Sequence, residues 1–573
     1  MNPQKRYFFM SEQQLTPLRF GIMVDDLVME RWKVQTIEKL VDGGMILALI
    51  IRNATTEEKK GFFQRMKGWP VRRLLFQRWN HRQFKPQAKE MVDLWENLST
   101  QGQNLEEIPI LDCEPTQKGI STIILDNDIQ NIKNHELDFI LRFGFGIIKG
   151  DILNAAKYGV WSFHHDDEME YRGGPPGFWE WMEDVPRNGI ILQRLTEDLD
   201  KGYILNKRWY PTILHAYKAH LDQLLFDSTE MPLQVCRQIQ HTGELKQQLS
   251  ESKAPIRRPP TNFKMLSYWI KCLTRRWRFH WHDLFRQEDW NVGYLEVPLK
   301  RFVEEPESFE GDVIWFKKRR RRDYYADPFV ITTEKDTYIF FEHYSYKKGK
   351  GWIEVAKKSQ KFKKFHVALE EDYHLSYPFV FSYEGEVYCL PEGNDSQRLN
   401  LYRFNEKKMV LEQEGVLMEH VRAIDPTLCY RDGRWNLFFT QKDYPSVKLY
   451  RYVSNELKGD YVSFFGNPVK VDCADARMAG AFFTFDGKLL RPAQECCRYY
   501  GTAVCLNQVD SMNDLEYSEK QIDKIQPFRG GKFKQGFHTL NGNDTMTVFD
   551  GKRWIFTFSG LSHQMKLKRN KNV

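Results

Sequence analysis

The sequence predicts two large domains joined by a helical connector: an α/β domain built on parallel strands, then an all-β domain of repeated blades. Three observations predict this. Continuous apolar runs alternate with helical periodicity through the first third of the chain, the mark of a parallel sheet covered on both faces. Short strands rich in Tyr, Phe, Val and Trp recur beyond residue 290, each broken by turn residues. A chain of 573 residues with 41% apolar side chains also exceeds what one hydrophobic core usually serves.

The α/β opening is carried by LRFGIMVDD (18–26), the helical stretch MERWKVQTIEKLVDGG and the strand MILALIIRN (45–53), a βαβ unit. Residues 54–105 are basic and helical in composition. IPILDCEP and ISTIILDN then supply short strands, and DFILRFG (138–144) the next. No G-x-G-x-x-G follows the first strand and no G-x-x-x-x-G-K-[ST] occurs, which argues against dinucleotide binding and P-loop chemistry. The domain is expected over 17–212 and the connector over 213–289, with a Pro- and Arg-rich break at APIRRPP (254–260).

From 290 to 566 the turns YEGE, RDGR, FDGK and a second FDGK separate the strands. Repeat units begin at 326, 377, 425, 479 and 543. A spacing of about 50 residues fits four-stranded propeller blades, so a five-bladed β-propeller is expected.

Composition narrows the partners. The net charge of +7 is small against 84 basic and 77 acidic side chains, so bulk charge predicts no nucleic-acid partner. The nine cysteines include no C-x-x-C pair and are odd in number, so neither a zinc site nor a disulfide framework is indicated, and no metal is expected. The N-terminus lacks a signal-peptide apolar region, and no apolar run reaches the roughly 18 residues of a membrane span. A cytoplasmic location follows as the expectation, with room for attachment to the inner face of a membrane. The stretch 263–285 places Phe263, Leu266, Ile270, Leu273, Trp277, Trp281 and Leu284 at helical spacing among basic residues. Such a helix suits packing between domains, and it also suits peripheral contact with an anionic membrane.

The most informative stretch is DFILRFGFGIIKGDILNAAKYGVWSFHHDDEMEYRGGPPGFWEWM (138–182), followed by NGIILQRLTEDLDKGYIL (188–205). It holds a strand, an FG-x-G-I-I turn, a helix, a strand ending in an N-x-H-type motif, a Y-R-G-x-x-P loop and an L-D-x-G motif. In this it resembles the catalytic core of the methionyl-tRNA and sugar-nucleotide formyltransferases. Gly144, Gly146, His164, Tyr171, Arg172, Gly173, Pro176, Asp200 and Gly202 occupy the motif positions. The resemblance implies a Rossmann-like fold and 10-formyltetrahydrofolate as formyl donor, held by Phe143, Gly144, Gly146, Tyr171, Arg172 and Gly173. It makes His164 the general base or oxyanion partner, with Asp200 orienting it. Formyl transfer to an amine needs both a base and a donor to the tetrahedral oxyanion. One position departs from the family: Ser162 stands where it has asparagine, and a hydroxyl donates from a shorter arm. His165, Asp166 and Asp167, which replace the family's usual run after the histidine, fit a polar loop better than a metal site.

The motifs ADPF, FFEH, YPFVF, LPEG and DPTL make the second domain similar to the propellers of family 43 and 32 glycosidases. They bring it closer still to the N-terminal region of plant glucosamine inositolphosphorylceramide transferases. That resemblance implies carboxylates converging on a central cavity, with Asp327, Glu342, Glu392 and Asp425 as candidates. Arg477, Arg491 and His538 are candidate partners for an anionic group. Tyr377-Pro378-Phe379 occupies the place of a second aspartate, which favours sugar binding over hydrolysis.

Together these resemblances predict an N-formyltransferase acting on an amino-sugar nucleotide, glycan or glycolipid. Two alternatives stay open: a glycan-processing or glycosyl-transfer enzyme with its site in the propeller, and a non-catalytic glycan-binding protein. The acceptor and the oligomeric state are not written in the sequence.

Overall fold

The computed structural model describes residues 15–55, 71–82, 84–98, 107–198, 202–318, 323–556, 558 and 561. The chain divides into two units, Met10–Trp277 and Arg278–Val573.

In the first unit an eight-stranded sheet runs in the order Gln248–Leu249, Tyr203–Pro211, Arg187–Arg194, Val160–His164, Phe139–Arg142, Arg19–Val24, Ile46–Asn53 and Ile110–Cys113. The last five of these are mutually parallel. The first three join antiparallel at the Val160–His164 edge. Strand Arg19–Val24 is buried along all but its first residue because it sits inside the parallel stack with helices on both sides, so it needs no polar face. Helix Arg31–Asp42 turns Trp32, Val34, Ile37, Leu40 and Val41 inward at helical spacing. ISTIILDN forms strand Ser121–Ile123, which lies outside the main sheet and pairs with Thr116–Lys118 and Ile147–Lys149.

Strands 19–24 and 139–142 are neighbours in space, although strand 46–53 follows 19–24 in the chain. This switch of direction opens a crevice at the carboxyl ends of the parallel strands, where ligands bind in sheets of this kind. The segment expected as a helical connector carries helices Tyr217–Ser228, Met231–Thr242 and Asn262–Phe285. Its two-residue strands Gln248–Leu249 and Ile256–Arg257 pair with elements of the first unit, to which residues up to Trp277 belong.

Among its described residues the second unit holds five antiparallel sheets, four of four strands and one of five. Four follow one another along the chain, from Asp323–Leu369, Ser376–Glu419, Ala423–Val471 and Phe483–Ile525. The fifth is assembled from both ends: Leu540–Gly542 and Thr547–Ile555 pair onward to Gln287–Leu295 and Ile314–Trp315. The earliest strand of the five sheets therefore begins at Gln287, three residues before the position 290 read from the sequence. The last repeat supplies only half of a sheet, because two strands from upstream of the first repeat complete it. Joining the two ends covers the sheet faces that the two ends of a linear row would leave exposed, while each sheet keeps only short edges.

Hydrogen bonds between successive inner segments run round a closed ring. Tyr377 N donates to Asp327, Tyr377 Oη bonds Thr427, Arg477 and Gln494 donate to Asp425, Ala481 N donates to Asn541, and Thr539 Oγ1 donates back to Asp327. Three of the inner strands share one device. Each has a β-bulge, between Ala326 and Phe329, Ser376 and Phe379, or Ile424 and Thr427. In each bulge a residue with positive φ precedes a proline: Asp327 at 52°, Tyr377 at 43° and Asp425 at 50°. The proline lacks the N–H a ladder would use, and the bulge re-aims the side chain before it. The repeated Asp/Tyr-Pro dipeptide is thus what brings Asp327, Tyr377 and Asp425 to the ring's interior.

Candidate functional site

The first site lies at the carboxyl end of the parallel strands. Ser162 and His164 are two residues apart on strand Val160–His164 and so share a face. Arg142, at the end of the neighbouring strand, donates to Ser162 Oγ at 2.8 Å and also to the carbonyl of Gly146. His164 Nε2 lies 3.1 Å from the Tyr171 carbonyl, so in the neutral ring Nε2 carries the hydrogen and Nδ1 keeps the lone pair. Asp166 Oδ2 is 4.0 Å from the same nitrogen. His164 is part-buried, with 15% of its side chain exposed. A base with an available lone pair and a guanidinium beside a hydroxyl therefore stand together, which is the donor set that acyl transfer to an amine requires.

The motif glycines hold backbones at close range. A Cβ on Gly144 would lie 2.7 Å from Asp25 N, and Asp25 Oδ1 itself accepts from Phe145 N at 2.8 Å. Phe143 packs edge-on to Trp32 at 5.6 Å, and Gly146 takes a positive φ of 60°. Gly173 has φ 95°, and a Cβ there would lie 2.2 Å from the Arg257 carbonyl oxygen, because Arg172–Gly173 pairs with Ile256–Arg257. Gly173→Ala is accordingly expected to destabilise the first unit by about 1–3 kcal/mol, read as a shift in the denaturant midpoint. Tyr171 Oη donates to Glu183 at 2.8 Å, and Arg172 donates to the Ala254 carbonyl at 3.3 Å. Asp200 lies outside the described residues.

The polar run after His164 is structural. His165 bonds Ser228 Oγ at 3.1 Å, and burial holds its ring neutral, down to about 3. Asp166 accepts from Gly177 N at 2.6 Å and is raised by burial and by the neighbouring Glu180, itself pushed up by burial to about 7. Asp167 pairs with Lys207 at 2.9 Å. The sequence reading missed Arg142 and Asp25, whose place in the crevice depends on which strands are neighbours.

The second site lines the ring of the second unit. His538 Nε2 is 3.0 Å from Asp327 and Nδ1 is 2.8 Å from Asp550, with all three residues buried. Burial alone would lower the imidazole, but the charges of Asp550 and Asp327 push it up to about 10. Burial alone would raise Asp327, but the His538 charge and the donors Thr539 Oγ1 and Tyr377 N hold it below its ordinary value. Among the described residues this trio is the one group whose ligand atoms lie close enough to hold a metal ion. Its arrangement is that of an imidazolium between two carboxylates, one facing each ring nitrogen.

Asp425 lies opposite a cation, with Arg477 Nε at 2.6 Å, and Gln494 donates to it at 2.7 Å. Burial, opposed by Arg477 but reinforced by Glu392 and Asp327, pushes Asp425 up to about 7. Glu392 is likewise raised by burial, and it accepts from Asn394 at 2.7 Å. Glu342 is raised by burial and the Asp327 charge. Its Oε1 lies 3.7 Å from His374 and accepts no hydrogen bond among the described residues. Aromatic faces border the set: Trp290 lies 4.0 Å from the His538 ring, and Arg477 sits 4.7 Å above the Tyr500 ring.

The structure thus brings together Asp327, Glu342, Glu392, Asp425, Arg477 and His538. Arg491 stands apart, because its guanidinium is taken by Glu519 at 2.6 and 2.7 Å and by the Asp475 carbonyl. Asp550 was hidden in the sequence, since Phe549-Asp550-Gly551-Lys552 was expected to be a turn. It is the middle of strand Thr547–Ile555, with Asp550 and Lys552 fully buried.

Residues 317–554 match the family described as glucosamine inositolphosphorylceramide transferase 1, N-terminal. The glucosamine inositolphosphorylceramide transferase 1 of Oryza sativa subsp. japonica is 34% identical over 210 residues, covering 35% of this chain and 28% of that protein. The methionyl-tRNA formyltransferase of Bacillus thuringiensis (strain Al Hakam) is 38% identical over 73 residues, 13% of this chain and 23% of that protein. The crystal structure of a thermostable family-43 glycoside hydrolase overlies 36% of this chain and 76% of its own at 12% identity, with a TM-score of 0.28. The chain spans about a quarter of the length of each of these two sequence relatives, and both are transferases by name.

Proposed function

We propose that this protein is a carbohydrate-directed N-formyltransferase. In this reading the five sheets form a five-bladed propeller that holds an amino-sugar-bearing glycan or glycolipid, and the His164 crevice moves a formyl group to an amine from 10-formyltetrahydrofolate. The observation that carries it is the pairing of His164, its Nδ1 lone pair available, with the Arg142 guanidinium held against Ser162. The amine nitrogen bonds to the formyl carbon, His164 takes the amine proton, and the carbon's bond to the folate nitrogen breaks as that nitrogen receives the proton back from His164. Arg142 and Ser162 face the charge that develops on the formyl oxygen. A cationic donor there offsets the loss of the family's asparagine, since charge-assisted hydrogen bonds are roughly twice as strong as neutral ones. The direct test is incubation with the formyl donor and a panel of amino sugars, amino-sugar nucleotides and aminoglycolipids, following tetrahydrofolate release. Release with none of them would rule the reading out.

A second reading is supported by the ring itself. Asp327 is held low and Asp425 is raised to about 7, and carboxyls pushed apart in this way are suited to base and acid roles in glycosyl chemistry. If the ring does the chemistry, Asp327→Asn abolishes turnover of a glycan substrate while His164→Ala leaves it intact.

A further inference from the structure

The helix Asn262–Phe285 has two unlike faces, and the residues of the first unit fix which one points outward. Met265 and Tyr268 are buried in a cluster with Phe178, Trp181 and Tyr217. Arg275 donates to the Trp181 carbonyl at 2.7 Å and to Asp184 at 2.6 Å, and Lys271 donates to the Met182 carbonyl and Asp184. With that side pinned, Phe263, Leu266, Ile270, Leu273 and Trp277 fall along the opposite side at helical spacing, and they are 78, 51, 63, 73 and 64% exposed. An unbroken apolar stripe of this kind is unusual on a protein surface and marks an interaction face. Its flanks are cationic: Arg276 and Arg278, both exposed, border the stripe on either side. Asp283 is the helix's one acid.

We propose that this face is a docking surface for an anionic lipid bilayer, with the stripe entering the headgroup region and Arg276 and Arg278 meeting lipid phosphates. The charge pattern selects this occupant, because a bilayer surface offers apolar depth and negative charge along one plane, as an amphipathic basic helix requires. Among the described residues no helix is long and apolar enough to cross a membrane, so the contact is peripheral. Such attachment would place the protein where a glycolipid acceptor resides, but it stands independently of the reaction proposed above.

The test is sedimentation of the purified full chain with vesicles of phosphatidylcholine alone or mixed with phosphatidylglycerol. Binding to the mixed vesicles, weakened by salt and much lower with phosphatidylcholine alone, is the expected result. Ile270→Asp combined with Leu273→Asp is expected to lower the partition about tenfold or more. Arg276→Glu and Arg278→Glu are expected to lower it about fivefold per side chain, which keeps the test valid if the first variant folds poorly. No binding to mixed vesicles, or equal binding by the wild type and both variants, overturns the proposal. So does light scattering that shows a wild-type dimer dissociated by the Ile270→Asp/Leu273→Asp variant, since a second copy would then cover the face. No formyl donor is present, so this outcome is separate from that of the formyl-release assay.

Discussion

His164→Ala is expected to lower formyl transfer about 10²–10⁴-fold, the usual contribution of a positioned acid–base group. The loss should fall on kcat more than on KM, because the imidazole handles a proton in the transition state instead of gripping the acceptor. Stability should change little: the side chain is part-exposed, and its one close hydrogen bond, to the Tyr171 carbonyl, lies at the crevice edge. Rates of tetrahydrofolate release, measured beside the thermal midpoint of the same preparation, decide the matter. A variant that retains wild-type turnover removes His164 from the chemistry and shifts attention to the ring.

Replacing His538 should act on stability and on the ring site together. His538→Ala leaves Asp327 and Asp550 buried without the cation between them, and breaking a buried pair in this way costs about 3–5 kcal/mol. For a unit of this size that corresponds to roughly 10 °C in the midpoint. The effect has a definite pH dependence. The folded-state value is raised from 6.5 to about 10, so below pH 6.5 the proton is bound in both states and the pairing contributes in full. As pH rises through about 10 the folded state loses the proton and the contribution disappears. The wild-type midpoint should therefore fall more steeply between neutral pH and pH 10 than that of His538→Ala. Parallel pH profiles for the two proteins would show that His538 is not the buried cation described here.

Much of the architecture was legible because it rests on local chemistry. Apolar runs without alternation located strands 19–24 and 46–53, since a parallel strand with helices on both sides has no polar face to show. Glu384-Gly385, Asp432-Gly433 and Asp486-Gly487 each take the paired positive φ values of a two-residue hairpin, as the YEGE, RDGR and first FDGK motifs indicated. The motif glycines 144 and 173 sit where a Cβ would meet backbone, a requirement of the local fold that their spacing already carried.

The sequence by itself determined the two kinds of domain, the repeat in the second, and the residue types gathered in each site: His164 and Ser162 in one, Asp327, Glu342, Glu392, Asp425, Arg477 and His538 in the other. Only the tertiary structure decided which of these meet. The second FDGK has the same four letters as a hairpin turn, yet it is a central strand segment, because Gln287–Leu295, some 260 residues earlier, pairs along its whole length. That pairing buries Asp550 and delivers it to His538. In the same way Arg142 reaches Ser162 because two strands lie side by side, and Glu519 withdraws Arg491 from the ring by offering it a bidentate partner. Turn and strand preferences are settled within a few residues, whereas the partner of a buried charge is chosen by whatever long-range pairing leaves it least desolvated without compensation.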